Sequence, residues 1–187
     1  GLVQNPFVTT VNSGNTYRDF TFFYRHSYDI GKRDSIAIND STTEYLFFPK
    51  LRFQHTFQVS SYNYQYKDIL ADSAIYANWY NLTLKDANDT VWYKERWSQV
   101  RNDFSLVQFP DTKNQAQFFL AGIRYDQIKQ ENDSGTNRYY NLSAHAEYRN
   151  RTRNKKWDLL LTGELYLNGL NSGNYRAFAS IERLLSK

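Results

Sequence analysis

The stretch Lys50-Leu51-Arg52-Phe53-Gln54-His55-Thr56-Phe57-Gln58-Val59-Ser60 decides the fold. Leu51, Phe53, His55, Phe57 and Val59 alternate with Lys50, Arg52, Gln54, Thr56, Gln58 and Ser60. Successive side chains of a strand point to opposite faces, so a period of two marks a strand with one apolar and one polar face. A helix, with its period of 3.6, would scatter the same residues around its surface. The alternation extends over about residues 45–66, with Pro49 near the start, where a missing ladder hydrogen bond is tolerable. At ~3.3 Å per residue this outruns the roughly 3–10 residues usual for a strand.

The same period recurs on both sides. Upstream, over 16–30, Phe20, Phe22, Tyr24, His26, Tyr28 and Ile30 oppose Asp19, Thr21, Phe23, Arg25, Ser27 and Asp29. Residues 31–43 read as a polar loop. Downstream, 67–90 is ambiguous: a turn, then either a third strand over 73–84 or a short helix over 72–81, then a polar loop over 85–90. Strands follow at about 91–108, 116–129, 139–149, 157–168 and 175–185. Over 91–108, Val100, Phe104 and Leu106 oppose Gln99, Arg101, Asp103 and Ser105. Over 139–149, Tyr140, Leu142, Ala144, Ala146 and Tyr148 oppose Asn141, Ser143, His145, Glu147 and Arg149. Over 157–168, Trp157, Leu159, Leu161, Leu165 and Leu167 oppose Asp158, Thr162, Glu164 and Asn168. About eight strands with short connections predict an all-β, antiparallel up-and-down barrel, whole or as a segment of a larger one. Residues 1–14 read as an N-terminal extension and 15–187 as the barrel region. Eight strands would place segments 31–43, 85–90, 130–138 and 169–174 on one side and 67–72, 109–115 and 150–156 on the other.

Composition narrows the function classes. Of 187 residues, 16 are Tyr, 13 Phe and 4 Trp, too aromatic for a disordered chain. No apolar run approaches the ~20 residues of a spanning helix. Cysteine is absent, which removes disulfides, thiolate metal sites and a cysteine nucleophile. Methionine is absent too, as in a processed chain or a fragment, and no signal sequence opens it. The net charge is +4, and the one dense basic patch, Arg149, Arg151, Arg153, Lys155 and Lys156, reads as a solvated turn rather than a nucleic-acid surface. No nucleic-acid partner is expected.

The alternating rows fit either a soluble sandwich, apolar face inward, or a membrane barrel, apolar face outward. Three features favour the membrane. The strands are long, tyrosine suits a membrane interface, and both charge signs crowd the polar rows, where neighbouring strands can pair them. Arg52, Arg101, Asp103, Arg124, Asp126, Glu147, Arg149, Glu164 and Glu182 are therefore expected to face a lumen. Tyr140, Tyr148, Trp157 and Tyr175 are expected at the lipid interface. Leu161 should face lipid, and Glu164→Ala should leave folding nearly intact.

Several stretches resemble the putative porin family of outer-membrane β-barrels of Bacteroidetes-type bacteria. They are Tyr17-Arg18-Asp19-Phe20-Thr21-Phe22, Leu51-Arg52-Phe53-Gln54-His55-Thr56-Phe57, Tyr64-Gln65-Tyr66-Lys67-Asp68, Asp72-Ser73-Ala74-Ile75-Tyr76 and Gln99-Val100-Arg101-Asn102-Asp103-Phe104. They cover about the first half; the second half shares only the alternation. The resemblance implies a segment of a longer barrel in the bacterial outer membrane. Its partners would be membrane lipid and small polar solutes.

Catalytic chemistry finds little purchase. His26, His55 and His145 read as isolated side chains, and Glu147 and Glu164 as ion-pair members rather than an acid–base pair. No phosphate loop, nucleophile elbow or metal helix is present. No catalytic residue, metal or cofactor is expected. The competing reading is a soluble carbohydrate-binding sandwich using Trp79, Trp92 and Trp97 as a stacking platform. The preferred reading puts those three in a girdle or loop and expects no soluble glycan to change the tryptophan fluorescence.

Overall fold

The computed structural model describes residues 13–39, 42–69, 71–84 and 90–185, with side chains from 13–35, 43–69, 71–84 and 90–185. The segment 1–14 thus lies almost wholly outside the described residues, as do 40–41 and 85–89. Among the described residues seven strands and one helix follow in order: β1 (Ser13–Asn39), β2 (Thr42–Asp68), α1 (Ser73–Tyr80), β3 (Val91–Gln108), β4 (Gln117–Asn132), β5 (Gly135–Arg151), β6 (Trp157–Gly169) and β7 (Tyr175–Arg183). They form one antiparallel up-and-down sheet in the order of the chain, with β1 and β7 at its unclosed edges. No helix among the described residues is long and apolar enough to cross a membrane, which says nothing of strands.

Seven strands stand where about eight were expected, because residues 73–80 take the helical alternative. Asp72 caps α1, its carboxylate accepting from the N–H of Ala74 at 2.8 Å and of Ile75 at 3.2 Å. Asn81 closes it in the left-handed conformation, φ 52°. The polar loop expected over 31–43 is strand on both sides of 40–41. Gly31 explains how: a Cβ there would lie 2.1 Å from the carbonyl oxygen of Phe48, so only glycine admits the β2 backbone. The loop expected over 130–138 shrinks to a tight turn, with Gly135 at φ 141° opening β5.

These changes revise the grouping of connections. The chain divides into two compact units. One holds Phe22–Val59, Gln99–Ile128 and Tyr139–Lys187, and includes segments 31–43, 109–115, 150–156 and 169–174 together. Within it Arg153 binds Asp111, and Asn114 Nδ2 donates to Arg151 O at 2.8 Å. The other unit holds Gly1–Thr21, Ser60–Ser98 and Lys129–Arg138, and so takes both flanks of α1 and the β4–β5 turn. Segment 31–43 therefore does not group with 130–138.

In the larger unit, apart from buried Val107 and Phe109, the usual burial order is reversed. Asp103, Ser105, Asp126, Asn141, Ser143 and Glu164 are buried, while Phe104, Leu106, Phe119, Ile123, Leu161, Leu165 and Leu167 are exposed. Along β3 buried and exposed positions alternate from Asp103 to Gln108. In the smaller unit Tyr76 is buried against strand ends, its hydroxyl 2.6 Å from that of Tyr66 and donating to Asp68 at 3.0 Å.

Candidate functional site

Alternation along β3 to β7 puts Arg101, Asp103, Ser105, Arg124, Asp126, Ser143, His145, Glu147, Glu164 and Arg176 on the polar face. Arg124 is its centre. Nε donates to Asp103 Oδ2 at 3.0 Å and Nη1 to Glu164 Oε1 at 2.6 Å. Glu164 also accepts from Ser143 Oγ at 3.1 Å and from Arg176 Nη2 at 2.6 Å. Arg101 forks onto Asp126 at 2.7 and 3.2 Å. Three carboxylates thus meet three guanidiniums, the condition for holding charge out of water. Asp103, Asp126 and Glu164 are only 7%, 3% and 5% exposed.

Beside this network Ser105 Oγ donates to Asp103 Oδ1 at 2.6 Å and lies 3.3 Å from His145 Nε2. The same His145 nitrogen is 3.5 Å from Asp103 Oδ2. Gly122 makes room, since a Cβ there would sit 2.5 Å from Ser105 Oγ and 2.6 Å from the His145 ring. Serine, histidine and aspartate are the residue types of a hydrolytic triad, but the wiring differs. Asp103 binds the serine and the same imidazole nitrogen, whereas a triad needs the carboxylate on the opposite nitrogen. Among the described residues, His145 Nδ1 is instead buried without a hydrogen-bond partner. This geometry does not activate a nucleophile. Among the described residues, no group of three or more His, Asp or Glu could hold a metal ion.

The other expected charged residues divide. Arg52 pairs with Asp29 through two bonds of 2.6 and 2.8 Å. Arg149 pairs with Asp158 at 3.2 and 2.8 Å, and Arg151 reaches the same carboxylate at 3.2 Å. Glu147 stands with Arg101, Arg124 and His145 around a cavity of about 310 Å³. Glu182 is exposed and faces Asp158 across the β6–β7 ladder, a like-charge pair outside the central network. Tyr140, Trp157 and Tyr175 are exposed and Tyr148 is half-buried, all on the apolar parity of their strands. Asp29, Ser143, Asp158 and Arg176 were missed as site residues. Their even spacing with Arg25, His145, Thr162 and Phe178 placed them on a face, but only cross-strand register shows whom they meet.

One expectation about aromatic groups is corrected, and the platform of the competing reading is not formed. His26 and His55 are not isolated: their rings meet edge-on at 5.0 Å, and His55 stacks on Phe104 at 4.2 Å along the apolar row. Trp79, Trp92 and Trp97 do not make one platform. Trp79 lies on α1, and Trp92 and Trp97 fall on opposite faces of β3 because their spacing is odd. Lys67 and Lys94 sit over Trp92 at 5.3 and 4.3 Å, whereas Trp97 Nε1 donates to Glu95 at 3.0 Å.

No curated protein and no solved structure matches the chain. A family model described as putative porin matches residues 4–186, nearly the whole length. With one up-and-down sheet, exposed apolar rows and a paired, buried charged face, the chain belongs to the putative porin family.

Proposed function

We propose that this chain forms part of the wall of an outer-membrane channel, non-enzymatic, with its apolar rows against lipid and its charged face toward water. Small polar solutes would pass along Arg52, Arg101, Asp103, Arg124, Asp126, Glu147, Arg149, Glu164 and the newly recognised Arg176. The carrying observation is the reversal of burial. A sheet in water hides its leucines and wets its glutamates; here Leu161 is 42% exposed and Glu164 5%. Lipid is the solvent that makes this arrangement favourable, because it rewards apolar contact and requires every backbone group to be paired within the sheet. Tyr140, Trp157 and Tyr175 would then meet the headgroup region.

Charged rings set ion preference in such pores. Arg176 is the useful probe, since its side chain is 73% exposed and its removal leaves Glu164 held by Arg124 and Ser143. In planar bilayers the barrel that this chain helps to wall should conduct, and Arg176→Ala should shift its reversal potential toward cation preference. Absence of conductance under conditions where the protein inserts would refute the channel.

A further inference from the structure

We propose that tyrosines of β1, β2 and β3 form a stacking rail for uncharged oligosaccharides on the polar face. The inference rests on the reading that this face borders water. Thr21 meets Ser60 Oγ at 3.1 Å, Arg25 reaches Thr56 at 3.2 Å and Arg52 reaches Asp29 at 2.6 Å. Each step moves four residues up β1 and four down β2, so all these positions share one face. One step the other way arrives at Tyr17 and Tyr64, whose ring centres are 5.1 Å apart. Tyr93, on the same parity of β3 as Arg101 and Asp103, continues the row 6.0 Å from Tyr64.

The rail differs from the charged face in chemistry. Where β3 to β7 present guanidiniums and carboxylates, this stretch presents rings. Their hydroxyls are tied down: Tyr64 donates to Asn15 Oδ1 at 2.8 Å and Tyr93 to Glu95 Oε2 at 3.2 Å. Glu95 also accepts from Trp97 Nε1 at 3.0 Å and from Gln130 Nε2 at 2.7 Å, so one carboxylate fixes two rings and an amide. Anchoring the hydroxyls leaves the ring faces as the surface on offer. Tyr17 is 70% exposed, Tyr93 is exposed and Tyr64 between them is half-buried, so two of the three rings stand open. Rings bordered by amides and a carboxylate match a pyranose, which has an apolar C–H face and a rim of hydroxyls. An ionic solute would gain nothing from the rings, and an apolar one would waste the polar rim.

The test uses the protein in an amine-oxide detergent, which carries no sugar headgroup, with maltohexaose as the probe. Calorimetric titration should show saturable binding. Tyr64→Ala and Tyr93→Ala should weaken it about tenfold each, as loss of a contact worth ~1.4 kcal/mol would. Tyr93→Phe, which keeps the ring, should retain it. Tyr17→Ala removes the most exposed ring, so it reports on binding with the fold intact even where the other two variants disturb it. No saturable response, or one undiminished by Tyr17→Ala and Tyr64→Ala, overturns the rail. A conducting channel without that response refutes the rail alone; the response in a protein that inserts but does not conduct refutes the channel reading.

Discussion

Removing the Arg124 guanidinium would leave Asp103 and Glu164 facing each other across buried space. Breaking a buried pair from one side costs about 3–5 kcal/mol, and here the cost falls on Asp103, which loses its guanidinium, while Glu164 keeps Arg176 and Ser143. Arg124→Ala should therefore lower the denaturant midpoint of the protein in detergent. A midpoint equal to that of the unmodified chain would show that water screens the cluster. The same geometry revises an expectation about Glu164. It holds Arg124, Arg176 and Ser143 at once, so Glu164→Ala should destabilise rather than pass silently. The polar parity of Glu164 was readable from its neighbours Thr162 and Asp158. Its partners were not, because Arg124 lies two strands away and register is a property of the whole sheet.

Among the elements, α1 shows most clearly what local chemistry decides. Asp72 at the cap and Asn81 at the exit make residues 73–80 a helix, although Ile75, Ala77 and Trp79 can be read as a strand row. Asp72→Ala should loosen α1 by about 0.5–2 kcal/mol, the usual worth of a cap, and hydrogen exchange of the Ala74 and Ile75 amides would report it. The helix carries a pH limit too. Burial, followed by the hydrogen bonds to Tyr66 and Asp68, pushes the Tyr76 hydroxyl above its ordinary range. A raised folded pKa means that the native state holds the proton more tightly. The stabilisation is complete below the ordinary tyrosine value, about 10, and is lost as pH rises beyond it toward the folded value. Ultraviolet titration should show a late-ionising phenol, and Tyr76→Phe should remove that late step. Ionisation of all phenols in one early step would contradict this packing. The hairpins taught the converse lesson. Residues 31–43 look like a loop because Gly31, Asp34, Ser35 and Asn39 are turn formers, yet Gly31 serves a close backbone approach and not a turn.

For the whole molecule, the alternation of Leu51 to Ser60 and its repeats made the all-β antiparallel sheet legible without any structure. What alternation alone leaves open is which face meets water, since a sandwich and a membrane barrel share one pattern with opposite polarity. The exposed Leu161, Leu165 and Leu167 opposite buried Glu164 are what the proposed lipid-outward polarity rests on. Leu161→Arg should cost roughly 2–4 kcal/mol of insertion near the bilayer midplane, measured as the fraction folding into vesicles. Full insertion of the variant would place Leu161 away from lipid.

The chain has no cysteine, so single cysteines can be spin-labelled without background. Leu161 and Thr162 are chain neighbours on opposite faces of β6, paired with Ala179 and Phe178 of β7. With the protein in lipid vesicles, a label at Leu161 should be relaxed by oxygen, which concentrates in the bilayer. A label at Thr162 should respond to a water-soluble nickel chelate. The reverse pattern, or nickel access at both positions, would contradict the account, because the apolar face would then be wet.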